Sequence, residues 1–316
     1  MTTAAKFEII HNATCRDDNL LSISGMCKLA GVSRSGYYEW VASKPYRERK
    51  EDQDRTDFDI ILEAYKHRGY AKGARSIYMR LLHTDVVMNL KKIRRLMRKY
   101  GLKCPYRGPN PYRQMAKALK TNTVFPNQVD RKFLAGGIRK VLLTDITYIF
   151  YDKGVCYLST ILDAFTREIL AYELSKSLEV SFVLKTVTDL VQRYGSTLDD
   201  TTVVHSDQGC HYTSKAFIKA LSDNHFVQSM SRKGNCWDNA PQESFFGHMK
   251  DEIKYEIAMM KSYEEVHAKI DDWIDYYNND RYQWDLVKLS PGEYCEYVTT
   301  GNYPLRTWGS APSPEV

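Results

Sequence analysis

Apolar residues recur with two different periods along the chain, and the change of period divides it into two parts. In the first hundred residues they follow the spacing of amphipathic helices, whereas between residues 139 and 230 β-branched runs alternate with helical stretches. Residues 20–42 predict a helix, a turn at Gly31 and a second helix capped by Ser33, which is helix-turn-helix spacing. Short helix pairs are common, so a role in binding DNA or a partner and a purely structural role both stay open.

Three further amphipathic helical segments are predicted from Asp57 onward. The third has a polar face rich in Lys and Arg, which indicates a second small DNA-binding unit, and its candidate DNA contacts are Lys91, Lys92, Arg94, Arg95 and Arg98. The mixed-charge stretch Pro45–Asp59 predicts a linker that becomes a helix. The Pro- and Gly-rich run from Cys104 to Pro111 indicates another linker, because it cannot form regular structure.

Beyond residue 126 the pattern is typical of a mixed sheet. Strands over Arg139–Tyr151 and Val155–Leu162, joined at Asp152-Lys153-Gly154, predict a hairpin. The remaining predicted elements are a strand at Glu168–Leu174, a helix at Glu179–Tyr194, the strand that ends at Asp207, a helix at Ser214–Asp223, a strand at Phe226–Met230 and the helix that bears Glu243. This order predicts an α/β fold: a ribonuclease-H-like mixed sheet with helices on both faces, preceded by small all-α helix-turn-helix domains.

Three acidic residues in the second part of the chain are candidate metal ligands. Asp145 interrupts an apolar strand, Asp207 lies at a strand tip, and Glu243 lies in the first turn of a helix that Pro241 can begin. A carboxylate in a core strand is costly unless it is paired or bound to a cation. The three acids repel one another unless divalent cations lie between them, and such cations prefer carboxylate oxygen. Lys250 lies about two turns after Glu243 and so shares its helix face.

Other polar residues nearby have simpler interpretations. Asp163 also ends a strand, but we interpret it as a structural residue that can pair with Arg167. Residues 205–207 read His-Ser-Asp, yet adjacent strand residues point to opposite faces and cannot form a hydrogen-bonded relay. Cys210 and His211 have no ligand partners at zinc spacing, so we expect them to be structural as well.

Composition limits the class of protein and its partners. The chain has 316 residues, of which 43% are hydrophobic, without a run long enough to span a membrane or a signal-peptide pattern, so we expect a cytoplasmic protein. The seven cysteines are scattered and are expected to be free thiols. The net charge is +6, yet 16 Lys and Arg against one acid, Asp85, give the segment from Lys66 to Lys120 a charge of +15. Such a block indicates a polyanionic partner, and a solvated basic face is the alternative.

Several sequence motifs together resemble one known family. Asp145, Asp207 and Glu243 resemble the DDE triad of retroviral integrases and insertion-sequence transposases. The surrounding motifs are similar to the OrfB product of the insertion-sequence-three family: residues 205–209 (HSDQG), 212–214 (YTS), 238–240 (DNA), 243–246 (ESFF), 276–278 (YYN), Arg281, 289–291 (LSP), 31–38 (GVSRSGYY) and 94–97 (RRLM). The likeness covers nearly the whole chain. The chain departs from the family pattern at residues 71–75 and at Tyr282-Gln283.

The resemblance implies a DDE transposase that cleaves DNA at element ends and transfers the 3′-hydroxyl into target DNA. It implies two Mg²⁺ or Mn²⁺ ions per active site, with Asp145 bridging both ions, Asp207 binding one and Glu243 the other. Lys250 is then expected to contact DNA near the cleaved phosphate. A catalytically inactive DNA-binding regulator is the alternative. A tyrosine recombinase is disfavoured, because no histidine is followed three residues later by arginine.

The same resemblance sets the expected domains and partners. The domains are a helix-turn-helix-like segment (1–45), a basic helical DNA-binding domain (55–104), a linker (105–125), an integrase-type catalytic core with C-terminal helices (126–296) and a tail (297–316). Expected partners are double-stranded DNA, as element ends and as target, a further copy of the chain, and an OrfA-type upstream product, with nucleoid association and no membrane. No heptad run of zipper length is present, so we expect end pairing to depend on that upstream product.

Overall fold

The computed structural model describes residues 1–105, 127, 129, 134, 136–231, 239–306, 312 and 313. Within these residues the chain forms eleven α-helices and a five-stranded sheet. The helices are α1 (Thr3–Thr14), α2 (Ile23–Ala30), α3 (Arg34–Ala42), α4 (Lys44–Lys66), α5 (Ala74–His83), α6 (Leu90–Lys99), α7 (Val180–Tyr194), α8 (Lys215–Asp223), α9 (Ala240–Ala258), α10 (Tyr263–Asn279) and α11 (Pro291–Thr300). The strands are β1 (Val141–Tyr151), β2 (Gly154–Asp163), β3 (Ile169–Ser175), β4 (Val203–Ser206) and β5 (Val227–Met230).

The first three helices form a small unit with its own apolar core. Ser33 caps α3 through its hydroxyl, and Gly31 ends α2 with φ 62°, a left-handed conformation that favours glycine. The predicted helix pair and its turn are therefore confirmed. Helix α1, which the sequence analysis did not predict, packs Phe7 and Ile10 against this pair.

Helix α4 runs unbroken through the stretch where a linker was expected. Of the predicted linker that becomes a helix at Pro45–Asp59, the helix is confirmed and the linker is wrong, because every residue there is helical. Pro45 lies in the first turn, where its missing N–H removes no helical hydrogen bond. The charges of the stretch are spaced for pairing along the helix, as between Lys44 and Glu48 (3.9 Å). The C-terminal half of α4 packs with α5 and α6 around Ile61 and Ile93, which confirms the three predicted helical segments.

The sheet has the strand order β3-β2-β1-β4-β5. Strands β1, β2 and β3 are antiparallel neighbours, whereas β4 and β5 run parallel to β1. Alternate side chains pack on opposite faces: Leu142 and Val204 face α7 and α8, whereas Val141 and Leu143 face α9 and α10. The predicted ribonuclease-H-like sheet with helices on both faces, after an all-α region, is confirmed.

Two predicted domain boundaries do not coincide with the ends of described elements. Residues 106–126, which hold nearly all of the predicted linker, lie outside the described residues. Helix α11 continues to Thr300, past the predicted end of the core at residue 296. The division into domains stays a prediction. No described helix is long and apolar enough to cross a membrane.

Candidate active site

Asp145 lies in β1, and Asp207 follows directly after the end of the neighbouring parallel strand β4. The register pairs Val141 with Val203 and Leu143 with His205, and each aspartate comes two residues after the second pair. Neighbouring strands are about 4.8 Å apart, so the two residues are brought close together. Asp145 follows the strand alternation of Val141 and Leu143, which pack against α9, and therefore lies on the side of the sheet where α9 carries Glu243.

The loop after β4 holds Asp207 by a backbone hydrogen bond. The Gly209 N–H donates to Asp207 Oδ1 (2.8 Å), while the Asp207 side chain stays exposed. A Cβ at position 209 would lie 2.9 Å from the same Oδ1, so only glycine permits this close approach without a shift. The turn that the sequence places after Asp207 thus fixes where its carboxylate lies.

Glu243 is placed by the residue before it. Pro241 and Gln242 lie in the first turn of α9, and Gln242 is fully buried. Its Nε2 donates to the Thr160 hydroxyl, and Thr160 is the β2 residue paired with Asp145. The start of α9 is therefore attached to the sheet beside the aspartate. The exposed carboxylate of Glu243 gains further stabilisation from the helix N-terminus.

Electrostatics show that the acids act on one another. Burial is the largest cause that raises the pKa of Asp145, to about 7, and the charges of Asp207 and Glu243 contribute to the same rise. The Ile146 N–H, which donates to Asp145 Oδ1 (2.8 Å), and the charge of Lys250 oppose that rise. Burial lowers the pKa of Lys250, against the opposing effect of Asp145. The predicted triad and its lysine thus lie within one electrostatic neighbourhood.

The side chains of the three acids do not converge on a single point. Among the described residues, no three Asp, Glu, His or Cys side chains converge closely enough to hold one ion. The three acids share one local field. A cation bound between them would offset their mutual repulsion.

The alternative site residues have structural roles in this fold. Asp163 is fully buried and accepts hydrogen bonds from the N–H groups of Arg139 (3.2 Å) and Phe165 (3.0 Å) and from the Thr166 hydroxyl (3.0 Å). The suggested side-chain pairing with Arg167 is wrong, because that guanidinium contacts Gln283 (3.2 Å) and Asp285 (3.6 Å).

The two histidines near Asp207 are buried and held within the fold. His205 lies between the hydroxyls of Ser229 (2.9 Å) and Ser231 (3.0 Å). The His211 ring contacts the Leu178 carbonyl oxygen (2.9 Å). Both arrangements agree with the structural roles expected from the sequence.

The basic residues of α6 divide into two sets. Arg95 binds both carboxylate oxygens of Asp54 (2.6 and 2.7 Å), Lys99 joins the same carboxylate, and Lys92 pairs with Asp57. Hydrogen bonds from Arg95 and then Lys99 hold the pKa of Asp54 well below its usual range. These residues attach α6 to α4.

The second set consists of Lys91, Arg94 and Arg98. All three are exposed and have no acidic partner among the described residues. Their spacing of three and four residues places them along one stripe of the helix. The charges that remain available to a polyanion are therefore fewer than the sequence alone indicates.

Comparisons with known proteins place the chain in a family. Family models described as integrase core domains match residues 139–236 and 225–291, and an HTH-like domain model matches residues 51–110. Transposase InsF for insertion sequence IS3A of Escherichia coli K12 is 27% identical over 276 residues, which cover 86% of this chain and 93% of that protein. An uncharacterized transposase-like protein of Haemophilus influenzae is 34% identical over 215 residues, 67% of this chain and 95% of that protein. This chain belongs to the IS3 family of insertion-sequence transposases.

Among solved structures, the catalytic core domain of BIV integrase is similar to this IS3-family chain with a TM-score of 0.40 and 16% identity. It covers 52% of this chain and 98% of its own. The resemblance to the IS3 family stated from the sequence motifs is confirmed by the relatives. Gln242 and Thr160, which seat α9 in this transposase, were not singled out from the sequence, because nothing in the local pattern shows that they meet.

Removing the Gln242 side chain tests whether it positions Glu243. We expect Gln242→Ala to slow DNA cleavage by about 10- to 100-fold, because a small displacement of a reacting group has a large effect on rate. Thr160→Val, which removes the partner hydroxyl, should give a loss of similar size. Cleavage rates on labelled element-end DNA measure both.

The matched control is Ser244→Ala, an exposed neighbour on the same helical turn. It should cleave at the wild-type rate. Equal rates for wild type, Gln242→Ala and Thr160→Val, in variants whose circular dichroism is unchanged, would contradict the positioning role.

Proposed function

We propose that this transposase cuts DNA at the ends of its insertion element and joins the freed 3′-hydroxyl to target DNA, in a reaction that depends on divalent cations. The observation that supports the proposal most strongly is the placement of Asp145 opposite Asp207, with Glu243 on the helix above the same face. Three separate elements bring acidic residues into one electrostatic neighbourhood, which favours a chemical role over a structural one. Without a cation, the repulsion between these acids destabilises the folded chain.

The donor set fits Mg²⁺ or Mn²⁺. Asp145, Asp207 and Glu243 supply oxygen atoms, the donors that these hard cations prefer. The raised pKa of Asp145 indicates an environment in which its negative charge lacks compensation, which a cation would supply. When bound, such ions supply charge stabilisation at the reacting phosphate and an activated nucleophile, and we propose two of them per site.

The protein side chains hold the substrate and the ligands in place. Asp207 is oriented by the Gly209 N–H, and Glu243 is fixed by the bond from Gln242 to Thr160. Lys250 lies on the same helix as Glu243, and its charge acts on Asp145. We propose that its ammonium group contacts the DNA phosphate next to the scissile bond, because a cation there compensates phosphate charge that the carboxylates would repel.

Recognition of DNA is assigned to the helical region. We propose that Lys91, Arg94 and Arg98 bind the backbone of the element end, whereas Lys92 and Arg95 serve mainly to hold α6 on α4. Pairing of two ends requires at least two copies of the chain. We propose a homo-oligomer that is aided by an OrfA-type upstream product.

Asp207→Asn tests the catalytic assignment directly. The change keeps the size and the hydrogen-bonding oxygen of the side chain but removes its charge. We expect cleavage of end DNA in Mg²⁺ to fall below detection, while the affinity for the same DNA stays within about threefold of wild type. Nicking of end DNA by the Asn variant at the wild-type rate would show that the carboxylates are not the active site.

Salt dependence separates the two basic sets. Each phosphate contact contributes about 0.9 to the slope of log affinity against log salt. Combined replacement of Lys91, Arg94 and Arg98 by Ala should therefore lower the slope by about 2.7, measured by fluorescence anisotropy on end DNA. An unchanged slope would place the DNA on another surface.

Arg95→Ala is the matched control on the same helix. It leaves Asp54, which is only 4% exposed, with Lys99 alone, so the free energy of unfolding of the full chain should fall by about 1–3 kcal/mol. Its salt slope should stay close to that of wild type. A stability equal to that of wild type would contradict the structural role of this ion pair.

A further inference from the structure

The helical region that holds α5 and α6 docks on the helices of the catalytic core. We refer to the contact as the joint, formed by the loop between α4 and α5 (residues 67–73) and by α5 on one side, and by residues 272–293 on the other. Tyr70 lies at its centre. It is 1% exposed, and its ring stacks on Tyr276 of α10 with centroids 4.4 Å apart. It belongs to the same apolar cluster as Trp273 and the sheet, so one residue of the helical region is part of the core.

Polar contacts surround the stacked rings of Tyr70 and Tyr276. The Tyr70 hydroxyl donates to Asp272 (2.5 Å), and Arg68 binds Asp275 (2.6 Å) and Asp272 (3.3 Å). Lys72 is 4% exposed, and its ammonium donates to the Tyr70 carbonyl (2.6 Å), so it holds the loop from within. The buried rings and Lys72 form the centre of the contact, and the ion pairs of Arg68 lie on its exposed rim. Buried groups that each have a partner favour a single docked position.

The backbone of the loop indicates that the surrounding contacts hold the docked position. Arg68 has φ 58° and is followed by Gly69 with φ 73°, so a non-glycine residue occupies the left-handed region. Such a conformation is strained and persists where the surroundings determine it. Glycine would remove that strain at position 68, but it could not bind the two aspartates.

A second contact lies along α5. The His83 ring stacks on Tyr282 with centroids 3.6 Å apart and its Nε2 lies 3.1 Å from Glu293 of α11. Arg80 donates to the Tyr282 hydroxyl (3.1 Å). Two separated contacts, one at each end of α5, prevent rotation about either one alone.

The noncovalent contacts of the joint connect the helical region that holds α6 to the part of the chain that carries Asp145 and Asp207. An enzyme that recognises one stretch of DNA and cuts another needs the distance between two such parts to be constant.

We propose that the joint determines the position of the cut, by holding the DNA-recognising helix α6 at a fixed place relative to the three carboxylates. Arg68, Tyr70 and His83 are then positioning residues for the selection of the cleaved phosphodiester. The inference rests on the proposed function. It adds a specificity determinant that lies outside both the active site and the DNA-binding helix.

The experiment maps the core on bound DNA without using the reaction itself. Cys210 is exposed and lies three residues after Asp207, so an iron–EDTA group attached there cuts nearby DNA by hydroxyl radicals. The full-length chain carries Cys15, Cys104, Cys236 and Cys295 as Ser, so that the label reacts at Cys210. End DNA labelled at one terminus reports the position and width of the radical footprint.

Arg68→Asp opens the joint by repulsion from Asp272 and Asp275, and Arg68→Asp with Asp275→Arg restores one ion pair. Arg55→Ala is the matched control, because Arg55 pairs with Glu51 on the exposed surface of α4. Hydrogen exchange at Tyr70 reports opening, and exchange in β1 reports that the core stays folded. Affinity for end DNA should stay within about threefold in all variants.

We expect wild type and Arg55→Ala to give one narrow footprint. Arg68→Asp should reduce the fraction of radical cuts within that window by at least threefold, and the charge swap should recover most of it. An unchanged footprint in Arg68→Asp with the joint open would overturn the proposal, and a joint that hydrogen exchange shows to stay closed would refute the positioning role of Arg68. A narrow wild-type footprint without cleavage in Mg²⁺ would refute the proposed function while supporting the joint, whereas failure to bind end DNA would contradict both.

Discussion

The placement of a carboxylate inside an apolar strand is the constraint on which the rest of the site depends. Asp145 lies in β1 among residues that build the core, and burial together with the neighbouring acids raises its pKa to about 7. Asp207 and Glu243 are also acidic, so their charges contribute to the raised pKa of Asp145 instead of opposing it. A fold tolerates such a cluster only if surrounding contacts hold the acids in place and a cation offsets their charge in the working state. The bond from Gln242 to Thr160 and the loop bond from Gly209 provide those contacts.

The sequence predicted the sheet well and singled out the three acids as candidates, for physical reasons. An acid within a β-branched run is conspicuous, and alternating strand and helix patterns restrict the strand order to few possibilities. The sequence did not show the seating of α9, because Gln242 and Thr160 lie 82 residues apart and meet only through the packing of the helix on the sheet. Pairing between distant polar residues has no local signature.

The same limit explains the basic helix. All of the Lys and Arg residues of α6 appear equivalent along the sequence, yet Arg95 and Lys92 face the acids of α4 and Arg94 does not. Which of these residues face the acids of α4 depends on how α6 is rotated about its own axis where it packs on α4. The linker expected at Pro45–Asp59 is helical for a related reason. Mixed charge is compatible with an irregular chain and with a helix, and here the spacing of the charges suits a long exposed helix. The exposed basic stripe of Lys91, Arg94 and Arg98 and the joint therefore become visible only once the helices are assembled.

The central claim is that the three acids form one site for divalent cations, and thermal unfolding of Asp145→Asn tests it most directly. A carboxyl whose pKa is higher in the folded chain costs stability above its unfolded pKa, so at pH 8 without metal the Asn variant should melt a few degrees higher than wild type. Adding Mn²⁺ should raise the wild-type Tm by a few degrees and leave the variant unchanged. A lower Tm for the variant without metal, or an equal Mn²⁺ shift in both proteins, would contradict the account.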